Sequence, residues 1–219
     1  MASYKRRRLR PQFVLLCILI ALVVINAVIL TVRLFRGRGP EAEGVIVPEY
    51  VAEDYLPLNR YSRPGYELMD IRGIVLHYVG NPDTSAQANR NYFASLASGK
   101  ENTFASSHFI VGLEGEVIQC IPMTEIAYAS KDRNNDTIAI EVCHPDTGGE
   151  FSPVTYTRVV ELTAWLCHTF DLDPETDVIR HYDVTEKLCP LYYVEHPEAW
   201  ETLLCDVSDA LDAMAAANS

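Results

Sequence analysis

The sequence has 219 residues, of which 48% are hydrophobic and 22% charged, with 11 glycines, 12 prolines and a formal net charge of −12. This length suits one folded domain with short additional segments, and the composition argues against fibrous, low-complexity and disordered chains. Residues 1–40 hold eight Lys and Arg and no acid, whereas the remainder holds 30 acidic and 10 basic residues. The acidic remainder argues against a nucleic-acid partner, since neutralising phosphates needs clustered cations.

The N-terminal segment contains a nearly unbroken apolar run at residues 13–32, twenty residues with only two polar side chains. A helix of that length spans about 30 Å, the thickness of a bilayer's hydrocarbon core. Five cations precede the run and three follow it. The positive-inside bias therefore predicts a cytoplasmic basic tail at residues 1–12, a transmembrane anchor at residues 13–33 and an external remainder. A cleaved signal peptide, with Ala27 near the cut, is the alternative, and the length of the run favours the anchor.

Residues 34–70 have the composition of a linker that becomes an ordered lead-in arm. Three prolines, Pro48, Pro57 and Pro64, prevent long regular elements. Several tyrosines in the same stretch indicate that the arm packs against the domain that follows. A plain spacer explains the pattern equally well.

From residue 71 onward, strand patterns alternate with helix patterns. The runs IRGIVLHYVG at 71–80 and TIAIEVC at 137–143 are short and continuously apolar, which is typical of strands buried on both faces. Residues 85–97 are compatible with a helix. The segment SSHFIVGLEGEVIQCI predicts a hairpin with Gly115 at its turn.

A longer helix is predicted to begin at Ser152-Pro153, with Ser as the N-cap and Pro in the first turn. Its apolar stripe follows the 3.6-residue period of a core-facing helix and consists of Val159, Leu162, Trp165, Leu166 and Phe170. A short strand at 177–181 and a closing helix at 197–215 complete the pattern. We predict an α/β domain over residues 71–215, with a central mixed β-sheet flanked by helices and preceded by one N-terminal transmembrane helix.

Four residues stand out chemically. His77 is the one strongly polar side chain in its strand, His181 and Cys189 lie eight residues apart in a predicted loop, and Glu141 is an acid inside a strand. A single strand histidine is more often a hydrogen-bonded core residue, but two His and one Cys together suit zinc. Three protein ligands leave the fourth tetrahedral position for water, as in catalytic zinc sites. An unpaired carboxylate in a strand is costly, so Glu141 is expected to face a polar cleft, a cation or the metal's water.

Over about residues 71–205, the chain resembles the zinc-dependent N-acetylmuramoyl-L-alanine amidases of the phage-lysozyme and peptidoglycan-recognition-protein superfamily, the type 2 amidases. The resemblance is carried by several phrases in the family's order, namely IVLHYVG, ASSHFIVGLEGEVIQCIP, NNDTIAIEVC and RHYDVTEKLCP. The last phrase is the most specific. Because the whole ordered set is present, chance similarity is a poor explanation.

The resemblance implies a role for each of five residues. His77, His181 and Cys189 match the zinc ligands of the family, some members of which have Asp at the third position. Glu141 matches the acid that acts on the zinc-bound water. Lys187 matches the basic residue that steadies developing negative charge.

Two positions depart from the family pattern; one bears on the catalytic base and the other on the substrate contacts. Ser107 stands where some members have a catalytic tyrosine, which leaves Glu141 as the candidate base. Tyr128 stands where many relatives have His or Trp; it and His144 are the possible substrate contacts.

The implied protein is a peptidoglycan hydrolase that cleaves the amide bond between N-acetylmuramic acid and L-alanine. Its expected partners are peptidoglycan and, through the N-terminal helix, a membrane, and it is expected to be a monomer that binds no nucleic acid. The expected location is the bacterial cell membrane, as a single-pass protein with its catalytic domain on the extracytoplasmic side.

Two questions remain open at the level of sequence. A non-catalytic peptidoglycan-binding or sensing module of the same fold is the alternative function; its usual sign is loss of a zinc ligand, and all three are present. An unrelated zinc peptidase is disfavoured because no H-E-x-x-H helix is found. The second question is whether four further cysteines form disulfides or act as small buried hydrophobic residues: Cys120, Cys143, Cys167 and Cys205.

Overall fold

The computed structural model describes residues 42–68 and 70–217, which contain six β-strands and six α-helices. The strands are β1 (Val51–Glu53), β2 (Ile74–Tyr78), β3 (Phe109–Val111), β4 (Val117–Gln119), β5 (Ile138–Val142) and β6 (Val178–Arg180). The helices are α1 (Ala86–Ser95), α2 (Pro153–Phe170), α3 (Pro174–Asp177), α4 (His181–Thr185), α5 (Leu191–Glu195) and α6 (Pro197–Ala217). Short 3₁₀ turns lie at Leu96–Ser98 and Lys131–Arg133.

The strands form one mixed sheet in the order β1-β4-β3-β5-β2-β6. Every neighbouring pair is parallel except β3 and β4, which form the predicted antiparallel hairpin. Gly115 lies in the hairpin turn with a positive φ of 77°, a conformation that glycine adopts without steric cost. The prediction of a central mixed sheet flanked by helices is therefore confirmed.

The two faces of the sheet bury different hydrophobic clusters. Successive side chains of a strand point to opposite faces. Leu76 of β2 lies in the larger cluster, which includes residues of α2 and α6, whereas Val79 lies in a smaller cluster with Phe93 of α1. His77 is therefore on the same face as Val79 and α1.

The helix starts follow the capping chemistry expected from the sequence. The Ser85 hydroxyl accepts a hydrogen bond from the Ala88 N–H at the start of α1, and Ser152 accepts from the Thr155 N–H at the start of α2. The predicted stripe of α2 is buried except at Trp165, which is half-buried. Both helices and the closing helix α6 are confirmed.

The arm contributes a strand to the sheet edge. Residues Val51–Glu53 pair in parallel with β4. Farther along the arm, the guanidinium of Arg63 donates two hydrogen bonds to the Glu125 carboxylate, at 2.8 and 2.7 Å. Leu56 between them is buried. This part of the arm thus lies against the sheet and is not a plain spacer.

The predicted location of the chain requires correction. Within residues 42–68 and 70–217, no helix is long and apolar enough to cross a bilayer. The longest of the helices in these ranges, α6, carries acidic residues along its length, which a hydrocarbon core would not accommodate. The prediction of a single-pass protein of the bacterial cell membrane is therefore wrong for the part of the chain that the structure describes. The predicted tail at 1–12 and anchor at 13–33 lie outside the described residues.

All five cysteines in the described part of the chain are free thiols. Cys120, Cys143 and Cys167 are buried among hydrophobic side chains, and Cys205 is exposed. The structure therefore favours the interpretation of the three buried residues as small hydrophobic residues.

His108 is a fully buried histidine that ties β3 to its neighbours. Its Nδ1 accepts a hydrogen bond from the Ala139 N–H at 3.0 Å, and its Nε2 lies 2.9 Å from the Glu125 carbonyl oxygen. Both contacts are satisfied by a neutral ring protonated on Nε2. Burial lowers the pKa of His108 from 6.5 to about 4. The native state therefore binds fewer protons than the unfolded chain between these values, and stability falls as the pH falls through that window.

We expect His108→Gln to weaken the pH dependence of the free energy of unfolding. Because the pKa of His108 is lowered in the folded state, the free energy of unfolding should fall by about 2 kcal/mol between pH 7 and pH 5. The variant lacks this contribution. Urea unfolding at both pH values measures the difference. His168→Gln, on the exposed side of α2, is the control and should keep the full pH dependence. An unchanged difference in His108→Gln would refute this account.

Candidate metal centre and active site

Two of the predicted ligands meet at the carboxyl ends of neighbouring parallel strands. Leu76 of β2 pairs in register with Arg180 of β6. The residue that follows each of them along the chain is a histidine, so His77 and His181 lie side by side, with ring centroids 4.4 Å apart. In open α/β sheets, this end of the strands is where ligands bind.

The third predicted ligand arrives on the loop that follows α4. Glu186 ends that helix with a left-handed φ of 61°, and the Tyr182 N–H donates to the Cys189 carbonyl oxygen at 2.9 Å, which folds the loop back. The Cys189 Sγ lies 3.9 Å from the His77 Nδ1. The ligand atoms of His77, His181 and Cys189 all lie within 4.8 Å of one another.

The donor set fits a zinc ion. In tetrahedral zinc sites with His and Cys ligands, neighbouring donor atoms are about 3.3–3.8 Å apart, so these side chains need to close by only about 1 Å. The His181 Nδ1 is buried and has no hydrogen-bond partner. A buried polar atom without a partner is rare, and a bound cation would satisfy it.

The electrostatic environment keeps both histidines neutral, which is the form that binds metals. Burial lowers the pKa of His77 well below 6.5 and that of His181 to about 4, and the charge of Lys187 lowers both further. Burial, and next the charge of Glu141, raise the pKa of the Cys189 thiol to about 12. A cation must therefore displace a thiol proton to bind there.

Glu141 lies directly beside His77. The two residues are register partners on β5 and β2, so their side chains leave the sheet on the same face. The residue as a whole is partly exposed, but its Oε2 is buried without a hydrogen-bond partner. Burial raises the pKa of Glu141 to about 8, against the opposing effect of Lys187. The carboxyl group therefore faces the ligand set with one oxygen free.

Lys187 is exposed on the same loop as Cys189, two residues before it. Its positive charge lowers the pKa values of His77, His181 and Glu141. The structure thus brings together all five residues that the resemblance implies.

The two predicted substrate contacts have different environments. Tyr128 is half-buried, and its ring packs edge-on against the exposed Phe104, with centroids 5.6 Å apart. His144 is buried, and its two ring nitrogens lie against the carbonyl oxygens of Val79 and Asp146. Both ring nitrogens of His144 are therefore already in contact with backbone oxygen atoms, and its role as a substrate contact stays a prediction.

Ser130 belongs to the site but was not predicted from the sequence. It is 1% exposed, and its Oγ lies 3.1 Å from the His77 Nε2. No local pattern identifies it, because the contact joins residues 53 positions apart.

Comparisons with known proteins place this site in a family. The family model of N-acetylmuramoyl-L-alanine amidase (Amidase_2) matches residues 67–191. The N-acetylmuramoyl-L-alanine amidase BlyA of Bacillus subtilis (strain 168) is 33% identical over 164 residues, covering 66% of this chain and 43% of that relative. The corresponding amidase CwlL of Bacillus licheniformis is 32% identical over 156 residues, covering 66% and 42%. The chain thus spans less than half the length of these curated relatives.

The fold is shared with solved structures of low sequence identity. The structure of PlyL superimposes with a TM-score of 0.60 at 22% identity, covering 72% of this chain and 96% of that chain. The family match covers more than half of the sequence and includes the three predicted ligands, Glu141 and Lys187. The chain therefore belongs to the N-acetylmuramoyl-L-alanine amidase family.

Proposed function

We propose that this protein hydrolyses the amide bond between N-acetylmuramic acid and L-alanine in peptidoglycan, with zinc held by His77, His181 and Cys189. The observation that carries the proposal is the convergence of three ligand atoms within 4.8 Å, with Glu141 in register beside them. Membership of the family supports the choice of substrate. The complete set of ligands, base and lysine favours turnover over a module that only binds peptidoglycan.

Glu141 is the proposed general base. Zinc bound beside it would supply a Lewis acid that lowers the pKa of water toward neutrality and polarises the scissile carbonyl. The free Oε2 of Glu141 would accept a proton from the attacking water and then deliver it to the departing amine of L-alanine. Burial raises the pKa of this carboxyl group, which makes its ionised form a stronger base and supports such a role.

Lys187 is the proposed electrostatic stabiliser. Hydrolysis of an amide places negative charge on the former carbonyl oxygen, and a nearby cation lowers the energy of that state. The influence of Lys187 on the pKa values of His77 and Glu141 supports its proximity to the reacting atoms. Its exposed position on the loop allows it to reach a bound substrate.

We propose residues 71–215 as the catalytic domain, preceded by the arm at 34–70. The family match over 67–191 supports the core of that range. Tyr128 is proposed as a substrate contact because its half-buried ring lies on the segment that leads into Ser130, whose Oγ is 3.1 Å from the His77 Nε2.

The purified full chain should release peptides that begin with L-alanine from isolated peptidoglycan. A chelator should abolish this release, and added zinc should restore it, since the proposed chemistry needs the metal. Mass analysis of the muropeptides measures both results. Release that persists at full rate after complete metal removal would contradict the zinc centre. New reducing sugar ends in place of free L-alanine amines would contradict the amidase assignment.

A further inference from the structure

We infer that Ser130 is a positioning residue that holds the imidazole of His77 in the orientation needed to bind the metal. The inference rests on the proposed zinc centre and concerns a residue that neither binds the metal nor touches the substrate. It is carried by the contact between the Ser130 Oγ and the His77 Nε2 and by the way in which Ser130 is itself held.

The His77 ring is clamped between two side chains through its two nitrogens. Nδ1 faces the Cys189 Sγ at 3.9 Å, and Nε2 faces the Ser130 Oγ at 3.1 Å. His77 is 2% exposed and Ser130 is 1% exposed. Water therefore has little access with which to replace the serine hydroxyl. Among the described residues, Ser130 is the one whose side chain lies within hydrogen-bond distance of the His77 Nε2.

The geometry determines which nitrogen binds the metal. A ligating Nδ1 must carry the lone pair, so the ring proton lies on Nε2 and is donated to the Ser130 Oγ. A hydroxyl group also has a proton of its own, and it donates to Nε2 when the ring carries its proton on Nδ1. The same contact therefore survives in both tautomers, and the ring keeps its orientation whether or not a metal is bound.

Ser130 is held in place by Asn134. The Asn134 Oδ1 accepts hydrogen bonds from the N–H groups of Ala129 and Ser130, at 3.0 and 2.6 Å. The Ser130 carbonyl oxygen accepts from the Arg133 N–H at 3.0 Å. These three bonds close a turn at residues 129–134, so the backbone that carries the Ser130 hydroxyl group is fixed beside His77.

The first test is the zinc affinity of purified full-length variants, measured by competition with a chromogenic chelator. Ser130→Ala is expected to bind zinc about 10–100-fold more weakly, the usual effect of removing a partner of a metal-binding histidine. Ser130→Thr keeps the hydroxyl group and should restore most of the affinity. Ser62→Ala is the matched control, because Ser62 is equally buried but its hydroxyl oxygen accepts a hydrogen bond from the Asn59 side chain in the arm. Its zinc affinity should stay within a few-fold of the parent.

The second test needs no substitution. Loading the full chain with an NMR-active cadmium isotope should give a metal–nitrogen coupling to Nδ1 of His77, with a slowly exchanging proton on Nε2. Coupling to Nε2 would overturn the inference, since that nitrogen could not then contact Ser130. Equal zinc affinity in Ser130→Ala and the parent would also overturn it. If the parent binds no zinc at all, the proposed metal centre fails instead, and the two failures are thereby distinguished.

Discussion

Glu141→Gln is expected to lower turnover by about 10²–10⁴-fold while the protein keeps its zinc, because an amide has the shape of the carboxylate but is not a base. The glutamine side chain would extend from β5 on the same face of the sheet as His77. The positions of the three candidate ligands should therefore not change. The substitution also removes a buried carboxyl group whose pKa is raised to about 8, so the fold should be at least as stable near neutral pH. The measurements are the rate of muropeptide cleavage and the zinc content of the same preparation.

The matched control for this variant is Glu201→Gln, which makes the same chemical change on the exposed side of α6. Its rate should equal that of the parent. If Glu141→Gln loses zinc together with activity, Glu141 acts as a ligand or supports one, and the assignment as a base is wrong. Activity within a few-fold of the parent would mean that another group accepts the proton.

The clustering of the candidate ligands with Glu141 could be predicted from the sequence because each of these residues stands out against its local background. His77 and Glu141 are polar residues in continuously apolar strands, and the phrase that holds His181 and Cys189 is specific to one family. Parallel pairing of β2 with both β5 and β6 then brings three of these residues to one end of the sheet. Strand periodicity and order therefore carry enough information for this part of the site.

The contacts around the His77 ring could not be predicted, because they depend on turns. Ser130 reaches His77 through a turn whose shape is set by the Asn134 side chain and by a positive φ of 49° at Lys131. Neither feature has a sequence pattern that extends over more than a few residues. The backbone contacts of His144 could not be predicted for a related reason: β5 ends at Val142, and beyond that residue the alternation of a strand no longer tells where a side chain points.

The secondary structure is likewise divided into elements that a sequence pattern predicts and elements that it does not. Long helices such as α2 and α6 have enough turns for a clear apolar period. Strand β1 has three residues, of which only Val51 is buried, and its partner β4 lies more than 60 positions away in the sequence. A segment that short has no measurable period, so its place in the sheet is decided by tertiary pairing alone.

Cys189→Ser is expected to abolish the stabilisation of the protein by zinc. In the parent, zinc at one hundred times its dissociation constant should raise the free energy of unfolding by about 2.7 kcal/mol, since the metal binds the folded chain. Serine keeps the size of cysteine but does not supply a thiolate, so two neutral imidazoles are left to hold the ion. Urea unfolding with and without zinc measures the gain, and the metal content of the purified protein measures the binding.

Two further variants separate the loss of a ligand from the loss of a buried thiol. Cys167→Ser changes a cysteine of the same 1% exposure in the hydrophobic core, so it should lower stability but retain the whole gain from zinc. Cys189→Asp should recover part of the gain, because a carboxylate oxygen is also a zinc ligand and the resemblance allows Asp at this position. Full zinc content in Cys189→Ser would mean that the metal is held by other atoms. A loss of the zinc gain in Cys167→Ser would mean that general destabilisation, and not coordination, explains the effect at position 189.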